Sequence, residues 1–256
     1  MILAQISDTH IMASDNPDDR RAGRIEALRR CVADINGLDT RPDVVIHTGD
    51  MTQDGKPSEF VAARDVLADL EMPYYPTPGN RDGSLPMVEA FKGLSEKADF
   101  MLYAVEEGAV RLIAMDSLSN TGNKGDFTPE QLAALDALLA TAPDQPTAIF
   151  MHHPPFDVTT AIDPFQYYRR EAATEFEAVV ARHPQLIRLF CGHSHRDYRA
   201  DVGSMPASTM PSVAIELRQG TYPDDKSNDP VYHLHRYIDG AGFETETRWV
   251  PPTAAN

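Results

Sequence analysis

A chain of 256 residues has room for one α/β core with appended elements. Its 23 Lys and Arg stand against 39 Asp and Glu, a net charge of −16 with no basic cluster to offset it. Such a surface repels polyanions, which argues against nucleic acid polymers and membranes as partners, although a small phosphate ester can still be drawn to a local cation site. No apolar run approaches the ~20 residues of a membrane span, and the first strand begins at Ile2 without a basic, apolar leader. A cytoplasmic location is therefore expected. Cys31 falls on a helical apolar stripe and Cys191 ends an apolar run, so both are expected as core thiols and not as a disulfide framework.

Taken in order, the chain opens with the apolar run ILAQI, which leads into Asp8-Thr9-His10. Residues 15–22 are polar, after which Ile25, Leu28, Val32, Ile35 and Leu38 recur at helical spacing and predict an amphipathic helix over one sheet face. DVVIH (43–47) reads as a buried strand running toward Gly49-Asp50. A second helix is expected to begin near Ser58, a good N-cap, and to carry Phe60, Val61, Leu67 and Leu70. YYPTP then leads to GNRD (79–82). Arg111 to Met115 predict a strand, and Thr128, Pro129 and Gln131 form a capping box with proline at the first helical position, ahead of Leu132, Leu135 and Leu139. TAIF and LIRLF are further strands, separated by a helix around 171–182 and followed by MHHPP and GHSH. From about Ser208 the pattern turns to strand after strand, in SVAIEL, VYHLHRY and GFETETRW. The expectation is an α/β fold with its principal core in residues 1–200. Residues 201–256 would supply β-strands that complete a second sheet or form a small cap.

Seven metal-type side chains sit at the ends of these apolar runs: Asp8, His10, Asp50, Asn80, His152, His193 and His195. Any one of them has an ordinary explanation, such as a turn aspartate or a satisfied core histidine. The ordered set is what carries weight. Because each block follows an apolar run, all should emerge at one sheet edge, where open α/β folds place their ligands. Two metals need a bridging ligand, and a carboxylate can bridge through its two oxygens, which makes Asp50 the candidate. Asn80 adds a carbonyl oxygen without further negative charge. Imidazole and carboxylate together suit two divalent or mixed-valence ions of iron, manganese or zinc, and the lack of a thiolate argues against a closed structural zinc site.

The five blocks resemble the calcineurin-like metallophosphoesterases, which carry Asp-x-His, Gly-Asp, Gly-Asn-His-Asp/Glu, His-x-Pro and Gly-His-x-His in this order. The match spans residues 3 to 195, and the short first block, GDMTQDG and HHPP are most similar to class III cyclic nucleotide phosphodiesterases and bacterial glycerophosphodiesterases. The resemblance implies a two-sheet sandwich flanked by helices. It implies a first metal on Asp8, His10, Asp50 and His195, and a second on Asp50, Asn80, His152 and His193. The implied reaction is hydrolysis of a small phosphodiester, a 3′,5′-cyclic nucleotide or a glycerophosphodiester, by a hydroxide held between the two cations. His-x-Pro selects His152 as the ligand and leaves His153 as a supporting or substrate-contacting group. A phosphomonoesterase or phosphonate-ester hydrolase is the alternative activity, and a non-catalytic scaffold the remaining class.

GNRD departs from the pattern, with Arg81 where the family carries His. The family's histidine is assigned to leaving-group protonation. Arginine cannot perform it, because its pKa above ~12 keeps the proton bound. It can clamp a phosphoryl oxygen with a fixed cationic fork, so Arg81 is expected to bind non-bridging oxygens unless Asp82 neutralises it. Among the other polar residues, Asp54 is expected to make a turn with Gly55, and His47 to pack in the core. Tyr167 and Tyr168 are expected as core aromatics with a base-stacking role as the alternative. His233 and His235 should lie on a polar sheet face. An open edge at the C-terminal strands would let two subunits pair.

Overall fold

Short strands with buried apolar residues and helices with one apolar stripe pack in one economical way, sheets inside and helices outside. The computed structural model, which describes residues 1–97, 99–119 and 122–251, adopts this arrangement. Its elements run β1 (Ile2–Ile6), α1 (Arg20–Asn36), β2 (Val44–His47), α2 (Pro57–Leu67), β3 (Tyr74–Pro76), α3 (Ser84–Ala90), β4 (Leu102–Val105) and β5 (Arg111–Met115). They continue with α4 (Pro129–Ala140), β6 (Thr147–Phe150), α5 (Arg170–Val180), β7 (Leu186–Phe190), β8 (Tyr198–Val202), β9 (Met205–Thr209), β10 (Val231–Ile238) and β11 (Gly242–Trp249).

One sheet has the order β11-β10-β1-β2-β3 and the other β4-β5-β6-β7-β9-β8. In the first, β1, β2 and β3 are parallel, and the β10–β11 hairpin joins β1 antiparallel. In the second, β5, β6, β7 and β9 are parallel, with antiparallel strands at both edges. Period-2 alternation sorts the second sheet's side chains: Leu112, Ala114, Ala148, Phe150 and Phe190 share a core with the first sheet, α1 and α2. Ile113, Met115, Ile149, Met151 and Leu189 instead share one with α4 and α5. Cys31 and Cys191 are both free and buried, as their apolar settings imply.

Several elements depart from expectation. Helix α2 begins at Pro57 with an extended Lys56 as its N-cap, and Ser58 lies inside it. The reason is Glu59, whose carboxylate accepts the backbone N–H groups of Asp54 and Lys56 and so fixes the first turn earlier. Residues 212–217 do not form the expected strand; they hold a single short turn, Ile215–Leu217, because their polar groups are engaged elsewhere. The Ser212 hydroxyl donates to the Asp8 carbonyl, and Val213 N–H to Ser7. Strands β4, β8 and β9 and helix α3 carry too little periodicity to be foreseen. The C-terminal strands lie beside β1, and residues 252–256 of that region lie outside the described residues.

The site is positioned by both sheets. The five blocks follow β1, β2 and β3 in one and β6 and β7 in the other, so their shared edge is the adjoining carboxyl ends of two sheets and not one edge.

Candidate metal centre

Beyond the strand ends the loops are cross-tied. Asp8 N–H donates to Gly49 O, His10 to Asp50 O and Ile11 to Met51 O, each at 2.9–3.0 Å, which locks the first two blocks side by side. Asp82 then gathers the second and third blocks: its buried carboxylate accepts the N–H groups of Met51, Thr52 and Gly79 and the Thr52 hydroxyl. Among the described residues five non-glycine residues have positive φ, and they are Asp8 (54°), His10 (47°), Asp50 (49°), His193 (67°) and His195 (54°). Left-handed backbone is uncommon outside glycine and clusters where a fold holds functional groups against local preference. Here all five are sequence-predicted ligands.

The structure brings the seven predicted ligand side chains together in two groups. In the first, single donor atoms of Asp8, His10, Asp50 and His195 lie within 4.8 Å of one another. His195 Nε2 is 3.2 Å from Asp8 Oδ1 and 3.4 Å from His10 Nε2, which in turn is 3.6 Å from Asp50 Oδ2. In the second, His193 Nδ1 is 3.0 Å from Asn80 Oδ1 and 3.1 Å from His152 Nε2. His152 Nε2 is 3.5 Å from Asp50 Oδ1. Asp50 thus turns one oxygen to each group.

Hydrogen bonds on the far side of the rings decide which way the lone pairs point. His152 Nδ1 is 2.8 Å from Thr48 O, and His195 Nδ1 is 2.9 Å from Leu217 O. A carbonyl only accepts, so those nitrogens carry the hydrogen and the inner nitrogens present lone pairs. Lone pairs facing one another at such spacings repel unless a cation lies between them. Separations of 3.0–3.4 Å match neighbouring ligands of a metal with bonds of about 2.1 Å, so the donor set fits the ions.

The electrostatics agree. Burial opposes ionisation of Asp8, but the His195 charge and hydrogen bond outweigh it and lower the carboxyl to about 2. Asp50 is likewise held below the usual carboxylate range despite burial, chiefly by His152. Burial depresses His10 to about 4, and burial with the His152 charge depresses His193 to about 3. His152 is raised to about 9, because the Asp50 and Asp8 charges and the hydrogen bond to Asp50 together overcome the cost of burial. In that setting a proton occupies the place a metal ion would take.

His153 nitrogen lies within 4.8 Å of those of His152 and His193, yet both its ring nitrogens are engaged. Nδ1 is 3.0 Å from the Ser117 hydroxyl, and Nε2 is 3.3 Å from the Asn123 carbonyl. It flanks the second group. Arg81 contributes its backbone N–H to Asp50 Oδ1 at 2.7 Å, while its exposed side chain lines the groove with Asn80, Asn123 and His195, a space of about 360 Å³. Asp82 is turned inward, and no carboxylate among the described residues pairs with Arg81. Of the remaining expectations, Gly55 adopts φ 67° beside Asp54, and His47 is buried against Thr9. Tyr167 packs on Phe127 while Tyr168 is exposed.

Sequence reasoning missed several supports. Arg24 is buried, donating to the His10 carbonyl, to Gln53 and to Glu216. Its position four residues before Leu28, on the apolar stripe, was a signal that a cation is needed there. Gly192 stands directly before His193. Its φ is not positive, and glycine is required because a Cβ would collide with the Ser7 hydroxyl and the Thr48 carbonyl. Gln166, which reaches the outer nitrogen of His193 at 2.9 Å, had no sequence signal.

With this fold and cluster in view, the family model described as calcineurin-like phosphoesterase matches residues 1–197, and the chain belongs to that family. It is 34% identical over 250 residues to the glycerophosphodiester phosphodiesterase GpdQ of Enterobacter lignolyticus, covering 93% of this chain and 87% of the relative. It is 26% identical to the 3′,5′-cyclic adenosine monophosphate phosphodiesterase CpdA of Pseudomonas aeruginosa, covering 96% and 88%. Among solved structures, a dimetal phosphatase from Danio rerio superposes with a TM-score of 0.68 at 18% identity, covering 98% and 99%, which bears on the fold alone.

Proposed function

We propose that the protein is a dinuclear metal-dependent phosphodiesterase acting on a small diester, a glycerophosphodiester or a 3′,5′-cyclic nucleotide. The observation that carries it is Asp50, whose two carboxylate oxygens face two separate groups of lone pairs. Asp8, His10 and His195 would complete the first metal's ligands, and Asn80, His152 and His193 the second's. Iron, manganese and zinc all suit this donor set. When bound, the ions supply Lewis acidity, acidifying a water and neutralising charge that develops on the phosphoryl oxygens. The relatives of similar length, named as phosphodiesterases, support the reaction class.

The protein's own groups divide the remaining work. His152 and His195 keep their ring orientation through the Thr48 and Leu217 carbonyls. Arg81 binds non-bridging phosphoryl oxygens by its guanidinium, which stays charged and gives up no proton. His153 Nε2–H, directed at the Asn123 carbonyl on the groove wall, stands beside the second group as a substrate contact. One observation favours a second reading, hydrolysis of a phosphomonoester or phosphonate ester: the Arg81 guanidinium has no carboxylate partner among the described residues and suits a terminal group with more negative charge. A cytoplasmic setting, supported by two free buried thiols, and pairing of two copies along edge strand β11 complete the proposal.

The test is hydrolysis of bis-p-nitrophenyl phosphate before and after chelation, with manganese restored, alongside glycerophosphodiesters, cyclic nucleotides and a competing monoester. Activity should vanish on chelation, return with manganese and fall at least 100-fold in Asp50→Ala. Full activity in Asp50→Ala would exclude the site.

A further inference from the structure

The second donor group depends on His193 offering Nδ1 inward, and a residue far away in sequence determines whether it does. Gln166 Oε1 lies 2.9 Å from His193 Nε2. An amide can be turned either way, but here its other end is fixed, because Gln166 Nε2 donates to the Asp163 carbonyl at 2.5 Å. A carbonyl cannot donate, so the amide nitrogen must face Asp163 and the amide oxygen must face His193. His193 must then carry its hydrogen on Nε2, which leaves the Nδ1 lone pair aimed at Asn80 Oδ1 and His152 Nε2.

The segment bearing Gln166 is itself pinned. Gly125 N–H donates to the Gln166 carbonyl and Tyr168 N–H to the Gly125 carbonyl. Lys124 Nζ donates to the Phe165 carbonyl, and the buried Tyr167 hydroxyl to the His153 carbonyl. Gln166 is the only side chain from outside the five blocks that bonds a ring nitrogen of a predicted metal-ligating histidine among the described residues.

We propose that Gln166 is a positioning residue that sets the ligating tautomer of His193 and thereby the affinity of the second metal ion. The assignment rests on the dinuclear reading above. Partners of this kind, outside the ligands themselves, change metal affinity by about 10- to 100-fold when lost.

The test is titration of the apoprotein with manganese, following free ion by electron paramagnetic resonance, for the parent, Gln166→Met and Gln166→Glu. Methionine keeps the length and removes the acceptor. Glutamate keeps the acceptor for His193 but loses the donor to Asp163. The parent should bind two ions per chain. Gln166→Met should bind one ion as the parent does and the other about 10- to 100-fold more weakly, and Gln166→Glu should stay within about threefold of the parent. Equal affinity in Gln166→Met would overturn the assignment. So would an equal loss in both variants, which would mark Gln166 as a loop tether through Asp163. A parent that binds fewer than two ions would instead remove the dinuclear reading and this inference with it. Circular dichroism and thermal unfolding of each apoprotein establish that the variants fold.

Discussion

Arg81 shows how one residue can leave a backbone role intact and change the chemistry. Its N–H holds Asp50 Oδ1 whatever the side chain is, so the bridge survives substitution, whereas the guanidinium at the groove is specific to arginine. Arg81→His should therefore leave the number of bound ions unchanged and introduce a group able to donate a proton. On a series of aryl and alkyl phosphodiesters, the variant should gain relative to the parent as leaving-group pKa rises, by about 10-fold or more for the poorest leaving groups. An identical leaving-group dependence in both proteins would refute the proton-donor argument. The ligand types were legible because chemistry restricts which side chains can hold a metal and the blocks keep their order. Gln166 was not, since its role arises from a contact 27 residues apart that no local pattern encodes, and Arg24 showed only as a cation on an apolar stripe, its His10 carbonyl partner lying 14 residues away.

At the scale of elements, local chemistry was readable wherever it was complete within a few residues. The capping box at α4 forms as the sequence implies: Gln131 N–H donates to the Thr128 hydroxyl, and Thr128 N–H to the Gln131 carboxamide. Thr128→Ala should cost about 1 kcal/mol, a fall in Tm of about 2–4 °C, with unchanged manganese stoichiometry. Loss of bound metal in that variant would show that α4 is coupled to the site. SVAIEL misled because its apolar residues suit a strand, while its backbone is committed to Ser7 and its Ser212 hydroxyl to Asp8. Helix α2 misled for a related reason, since Ser58 was a plausible cap but Glu59 fixed the turn with Lys56 as the cap, two residues earlier.

For the molecule as a whole, the space between the sheets is more polar than the strand patterns suggested. His233 and His235 were expected on a polar sheet face, and they are instead fully buried between the layers. His235 contacts the Gln5 carboxamide and the Thr245 hydroxyl, and His233 the Thr247 hydroxyl. Burial first, and then the Arg199 and Arg188 charges from β8 and β7, depress His233 to about 3. Burial, with His233, Arg188 and Arg199, holds His235 well below the ordinary histidine range as well. The unfolded chain, with these histidines near 6.5, binds protons that the folded protein refuses. Their contribution to stability is therefore present above pH 6.5 and is lost progressively as the pH falls below it, for His233 down toward 3. Each such group can add up to about 1.4 kcal/mol of unfolding free energy per pH unit within that window. Urea unfolding of the parent should shift to lower midpoints from pH 7 to pH 4, while His233→Gln, which keeps a partner for Thr247, should show a shallower slope by up to that amount. The metal-site histidines add a background common to both proteins, so the difference reports His233 together with its effect on His235. Parallel slopes would mean that the interlayer histidine takes up its proton over the same pH range in the folded protein as in the unfolded chain, with Arg188 and Arg199 too well screened to prevent it.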